Sequence, residues 1–140
     1  MANTLENLIF LSIIVIYTYV GFIGRTIDKK RYKYRIIFSL ISLFLGGFGE
    51  FFFQLEKPFG SIIFGALPFI YLLCYEVFRR LYAPLIGKYP YAPFREKVGC
   101  RPMGNGYPSG RLVTNKDYIF TITLILVPFL ILIFLLTLTK

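Results

Sequence analysis

The chain contains no histidine and no tryptophan, only two cysteines, and seven acidic residues against 16 basic ones. Without histidine there is no His-ligated haem or zinc, no Ser-His or Cys-His nucleophile pair, and no imidazole acid-base chemistry. Two cysteines are too few for a disulfide scaffold. Polar residues are also scarce outside a few clusters. Of the 140 residues 56% are hydrophobic, above the roughly 45–50% of a soluble domain, and they are gathered in long runs with the charge between them. These shortages exclude a soluble globular domain, a disordered tail and a disulfide-stapled module.

What is present is four apolar runs of the length a helix needs to cross about 30 Å of hydrocarbon, roughly 20 residues. They cover 8–24, 36–55, 59–78 and 118–139, with Pro68 inside the third and Pro128 inside the fourth. Only Gln54, Glu56, Lys57 and Pro58 separate the second run from the third, so the two read as a tight helical hairpin. The expected fold is an all-α membrane protein, a single polytopic domain over 1–140. It has four transmembrane helices and one long, basic, Gly- and Pro-rich loop between helices three and four.

Charge sets the expected topology. Fourteen of the 16 basic residues fall in two segments, 25–35 and 79–117. In a four-span chain these segments share a side, and the positive-inside rule makes it cytoplasmic. Both termini then face away from the cytoplasm. Glu6 before the first run and the basic cluster after it fit a retained anchor rather than a cleaved signal. Cys74 and Cys100 fall on the reducing side, where no disulfide is expected.

Within the spans, Ser39, Ser42, Gly46 and Gly49 recur at spacings that share one helix face, and Ser61 and Gly65 do the same on the next span. Small residues in such stripes let helix backbones approach closely in lipid. Two acids lie inside spans. Glu50 is read either as interfacial, pairing with Lys57, or as a functional intramembrane acid, because a charge in lipid is costly. Glu76 precedes Arg79 and Arg80 at ion-pair spacing.

The 79–117 loop is the part large enough to carry recognition. Its prolines and glycines, five of each between Leu81 and Asp117, argue against a long helix and for successive turns. It echoes itself in Tyr82-Ala83-Pro84-Leu85 and Tyr91-Ala92-Pro93-Phe94, a pattern suited to pinning a loop on a membrane or a protein. Arg95, Lys97, Arg101 and Arg111 flank glycine-rich turns, and Tyr91, Phe94 and Tyr107 are interleaved with them. Arginine forks and backbone N–H groups together suit a phosphate, a lipid headgroup or a carboxylate. The spacing matches neither a P-loop nor a dinucleotide fingerprint.

Arg101-Pro102 followed by Pro108-Ser109-Gly110 resembles motif fragments of the membrane phosphatidic acid phosphatase family. Arg111 stands where that family places its first catalytic histidine, and the third motif is absent. The resemblance therefore implies a phosphate-binding remnant without hydrolysis.

Three functions are compatible with these features. The favoured one is a non-enzymatic multi-pass membrane subunit that anchors or assembles a larger complex through its basic loop. A virion inner-membrane protein contacting a capsid is one variant of it. The second is an oligomeric small transporter or channel using Glu50. The third is a lipid-headgroup-modifying enzyme with Cys100 or Ser109 as nucleophile and Glu96 or Asp117 as base. Expected partners are membrane lipids, including anionic headgroups, and other protein subunits. Neither nucleic acid, a metal nor a cofactor is expected.

Overall fold

The structure, a computed structural model, describes residues 2–53, 60–87 and 89–138. The turn expected at 54–59, with Lys57 as a partner for Glu50, lies outside the described residues, as do Lys88 and Lys140. The chain forms α1 (Ala2–Gly21), a 3-10 turn (Phe22–Arg25), α2 (Lys29–Phe53), α3 (Gly60–Ile86) and α4 (Asn115–Leu138). All four α-helices are long and apolar enough to cross a membrane. Among the described residues there is no strand, only an isolated bridge between Thr26 and Asn105.

The helices outrun the apolar segments because their ends are set by caps, which hydropathy does not register. At the start of α2, Asp28 Oδ1 accepts the Lys30 backbone N–H at 2.9 Å and the Asp28 carbonyl accepts that of Tyr32 at 3.0 Å. This is an N-cap. Lys29, Lys30, Arg31, Lys33 and Arg35, expected in a loop, therefore form the first two turns of the helix.

α3 likewise continues through Leu81 and Pro84 to Ile86, although the proline density there argued for turns. Proline removes one N–H but tolerates helical φ. The stop comes at Gly87, at φ 95°, whose N–H closes on the Ala83 carbonyl at 2.9 Å. Such a left-handed C-cap costs glycine nothing. α4 begins with Thr114-x-x-Asp117. The Asp117 carboxylate reaches back to the Thr114 N–H at 2.8 Å and to its hydroxyl at 2.9 Å, a capping box. The loop between helices three and four is accordingly 87–114 rather than 79–117.

The most extensive helix contact is between α2 and α3. Gly46 and Gly65 meet backbone to backbone: a Cβ on Gly46 would come within 2.6 Å of the Ser61 carbonyl oxygen and 2.8 Å of Gly65 Cα. Ser42 Oγ donates to the Gly65 carbonyl at 2.9 Å. Ser39, Ser42, Gly46 and Gly49 are all buried, so their common face is turned inward. The buried core lies at the other end of the bundle, where Val20, Ile23, Tyr71, Tyr75, Phe120 and Leu124 pack together. Elsewhere many large apolar side chains point outward, as with Phe44 at 74% exposed and Phe51 at 79%, while Ile9, Ile13, Ile63 and Leu132 stay buried.

Candidate functional site

Residues 89–114 fold back as a cap over the core end of the bundle. Two buried carboxylates brace it, Glu96 within the cap and Asp117 in the first turn of α4. Glu96 is 3% exposed. It takes Arg25 Nη2 at 2.5 Å, the Tyr91 hydroxyl at 2.6 Å, and the backbone N–H groups of Phe94 at 2.8 Å and Arg95 at 3.0 Å. Burial pushes its carboxyl up, but the hydrogen bonds from Tyr91 and from the Phe94, Glu96 and Arg95 backbone outweigh that and hold it at about 2. Asp117, fully buried, pairs with Arg111 and accepts the Tyr91 backbone N–H at 3.0 Å.

Two tyrosines connect these pairs. Tyr91 is fully buried, and its hydroxyl donates to Glu96 while accepting Arg25 Nη2 at 3.3 Å and the Met103 N–H at 3.2 Å. The Tyr107 hydroxyl donates to the carbonyls of Gly24 at 2.7 Å and Pro90 at 3.1 Å. Burial raises the pKa of both phenols, and they remain protonated donors at neutral pH.

The cap docks on the corner between α1 and α2. Ala92 N–H bonds the Gly24 carbonyl at 3.0 Å, and Ile27 N–H bonds the Asn105 carbonyl at 3.2 Å. The approach is close enough that only glycine fits at 104, where a Cβ would lie 2.0 Å from the Arg25 carbonyl oxygen. Gly99 and Cys100 then pair with Val113, returning the chain to α4.

The loop residues with recognition chemistry in the sequence separate into two groups. Tyr91, Tyr107 and Arg111 belong to the inside of the cap. Arg111 spends its donors on Asp117 and on the carbonyls of Tyr89 and Leu112. Arg95, Lys97, Arg101 and Phe94 are exposed, Phe94 at 72%, and Val98 and Met103 are exposed beside them in sequence.

Glu50, near the end of α2, accepts the Ser61 N–H at 3.1 Å in the first turn of α3, a favourable place for a negative charge. Glu76 binds Arg79 at 2.8 Å and the Tyr32 hydroxyl at 2.6 Å. Both cysteines are free thiols, Cys74 buried and Cys100 exposed. No three of His, Cys, Asp and Glu come together among the described residues.

Arg25 and Arg35 carry no recognition signal in sequence, since both read as topology charges. The Thr114-x-x-Asp117 box is a signal that could have placed the start of α4 and the role of Asp117. Comparison with family models, curated proteins and solved structures finds no match. The resemblance of 101–110 to phosphatase motifs rests on those residues alone.

Proposed function

We propose that this chain is a non-enzymatic, multi-pass membrane subunit that anchors or assembles a larger complex through its cap. The four helices lie in the bilayer, and outward-facing apolar side chains along all of them support that placement. The cap and the basic first turns of α2 lie on the cytoplasmic side, with both termini opposite, as the distribution of Lys and Arg favours.

One observation carries the docking role: the cap is locked from within and decorated from without. Two buried ion pairs fix its backbone, while Arg95, Lys97 and Arg101 stand exposed with Phe94, Val98 and Met103. A connection between two spans needs no such internal bracing. A rigid surface of cations and large apolar side chains fits a protein partner with an acidic rim around an apolar pocket.

The chemistry supports a binding role over an enzymatic one. A carboxyl held at about 2 is a weak base near neutral pH, and Asp117 is enclosed by Arg111 and Thr114. Native mass spectrometry on protein gently extracted from its source tests the reading. A stable assembly with other polypeptides is expected, and the triple variant Arg95→Glu, Lys97→Glu, Arg101→Glu should release the partner while the helices stay folded. A lone chain, or a homo-oligomer carrying only lipid or ions, overturns it.

A further inference from the structure

At the corner between α1 and α2 stands a buried cation that pairs with no carboxylate among the described residues. Arg35 is 4% exposed. Its Nη2 donates to the Phe22 carbonyl at 3.0 Å, and the guanidinium lies 5.5 Å from the Tyr19 ring centroid. Its Nε and Nη1 are buried and have no hydrogen-bond partner. Folded proteins rarely leave such donors unanswered, least of all on a charged group.

Arg35 lines a cavity of about 390 Å³ that no carboxylate among the described residues borders. Arg25 and Arg31 share its wall, and the cap closes one side with Met103, Gly104 and Asn105. Arg25 is neutralised by Glu96, and Arg31 has only Asp28 at 3.8 Å. The cavity therefore holds an excess of positive charge, and its innermost cation is the one without an acid. On the helix side Tyr19 and Phe22 line it too, both partly exposed, and Phe38 packs edge-on against Tyr19 with centroids 5.5 Å apart. A cationic wall with an aromatic rim suits an anion esterified to something apolar.

We propose that this cavity binds a phosphate group, supplied by the headgroup of an anionic phospholipid, with Arg35 and Arg31 on the phosphate and an acyl chain across Phe22 and Phe38. This site shares only Met103 with the cap's outer surface, and it differs from diffuse attraction of basic residues to a charged membrane in depending on particular arginines. Only the lipid source of the phosphate rests on the membrane reading; the anion chemistry does not.

The test uses the full chain in nanodiscs of equimolar phosphatidylglycerol and phosphatidylcholine, released into native mass spectrometry. About one retained phosphatidylglycerol per chain is expected, preferred roughly tenfold over phosphatidylcholine, which offers the same phosphate but adds a choline cation that the cavity's excess positive charge repels. Arg35→Gln and Arg31→Ala should each erase most of that preference, whereas Arg101→Ala on the cap should not. Should Arg35→Gln fail to fold, as judged by circular dichroism, Arg31→Ala and Arg31→Glu decide the matter.

A second arm adds inorganic phosphate to the detergent-solubilised protein, with chloride at matched ionic strength as control. Stabilisation there, abolished by Arg31→Ala and without lipid preference, keeps the site and assigns it to free phosphate. This arm reads the cavity even if the chain proves not to insert in bilayers. Equal retention of both lipids with no phosphate effect overturns the proposal. So does an Arg101→Ala loss as large as that of Arg31→Ala.

Discussion

Replacing Glu96 by Gln should unlock the cap, and the structure sets the size of the effect. The substitution conserves shape but removes the charge facing Arg25 and turns an amide toward a site lined by N–H donors. Holding the carboxyl at about 2 rather than the ordinary 4.5 corresponds to about 3 kcal/mol of cap stability, at about 1.4 kcal/mol per pH unit. Breaking one side of a buried ion pair costs about 3–5 kcal/mol. Arg25, whose side chain is 23% exposed, can rehydrate, which favours the lower end. The two routes agree on about 3 kcal/mol, or roughly a hundredfold rise in cap opening.

Amide hydrogen exchange at Phe94, Arg95 and Met103 in the reconstituted protein reads that quantity directly. The acid dependence has a definite sign. The folded value is depressed, so the stabilisation is complete above the ordinary 4.5 and is lost as pH falls toward about 2. The gap between wild type and Glu96→Gln should therefore close over that interval. Exchange within about threefold of wild type at pH 7 would refute the reasoning, since the predicted effect is far larger. So would a gap that persists unchanged in acid.

Other perturbations probe the remaining joints. Asp117→Asn strips Arg111 of its carboxylate and weakens the cap of α4, at a cost of about 2–4 kcal/mol, seen as faster exchange at the Tyr91 and Thr114 amides. Gly104→Ala sets a methyl group 2.0 Å from the Arg25 carbonyl oxygen, so the cap must shift, costing about 1–3 kcal/mol in the same assay while helix content is unchanged. Gly46→Ala, with a Cβ 2.6 Å from the Ser61 carbonyl, should part α2 from α3 at a similar cost of about 1–3 kcal/mol, measured as a lower unfolding midpoint in detergent. In single-cysteine variants a membrane-impermeant maleimide applied from the cytoplasmic side should modify exposed Cys100 at once, and buried Cys74 only after denaturation. Labelling of Cys100 from the opposite side would invert the proposed topology.

The four long apolar helices were legible in the runs themselves, because hydropathy over roughly 20 residues is a property of composition. Their ends were not. Asp28, Gly87 and the Thr114–Asp117 pair set them through backbone hydrogen bonds that a hydropathy reading passes over, which is why the basic stretch after Lys29 is helix and the loop is shorter than its proline content implies. The common face of Ser39, Ser42, Gly46 and Gly49 follows from helical spacing, whereas its contact with α3 at Gly65 is a tertiary fact.

The candidate site was legible only as a composition. The sequence by itself determined that the loop between the third and fourth helices is basic, aromatic and rich in turns. Which of its residues face inward depended on two acids finding distant partners: Glu96 on Arg25, 71 positions away, and the Tyr91 N–H on Asp117, 26 positions away. Charge can be counted along a chain, but burial and pairing arise only when separated segments meet. In sequence Arg35 is one basic residue in a cluster; in the folded chain it is a buried cation beside a cavity, because the cap and the α1–α2 corner close around it.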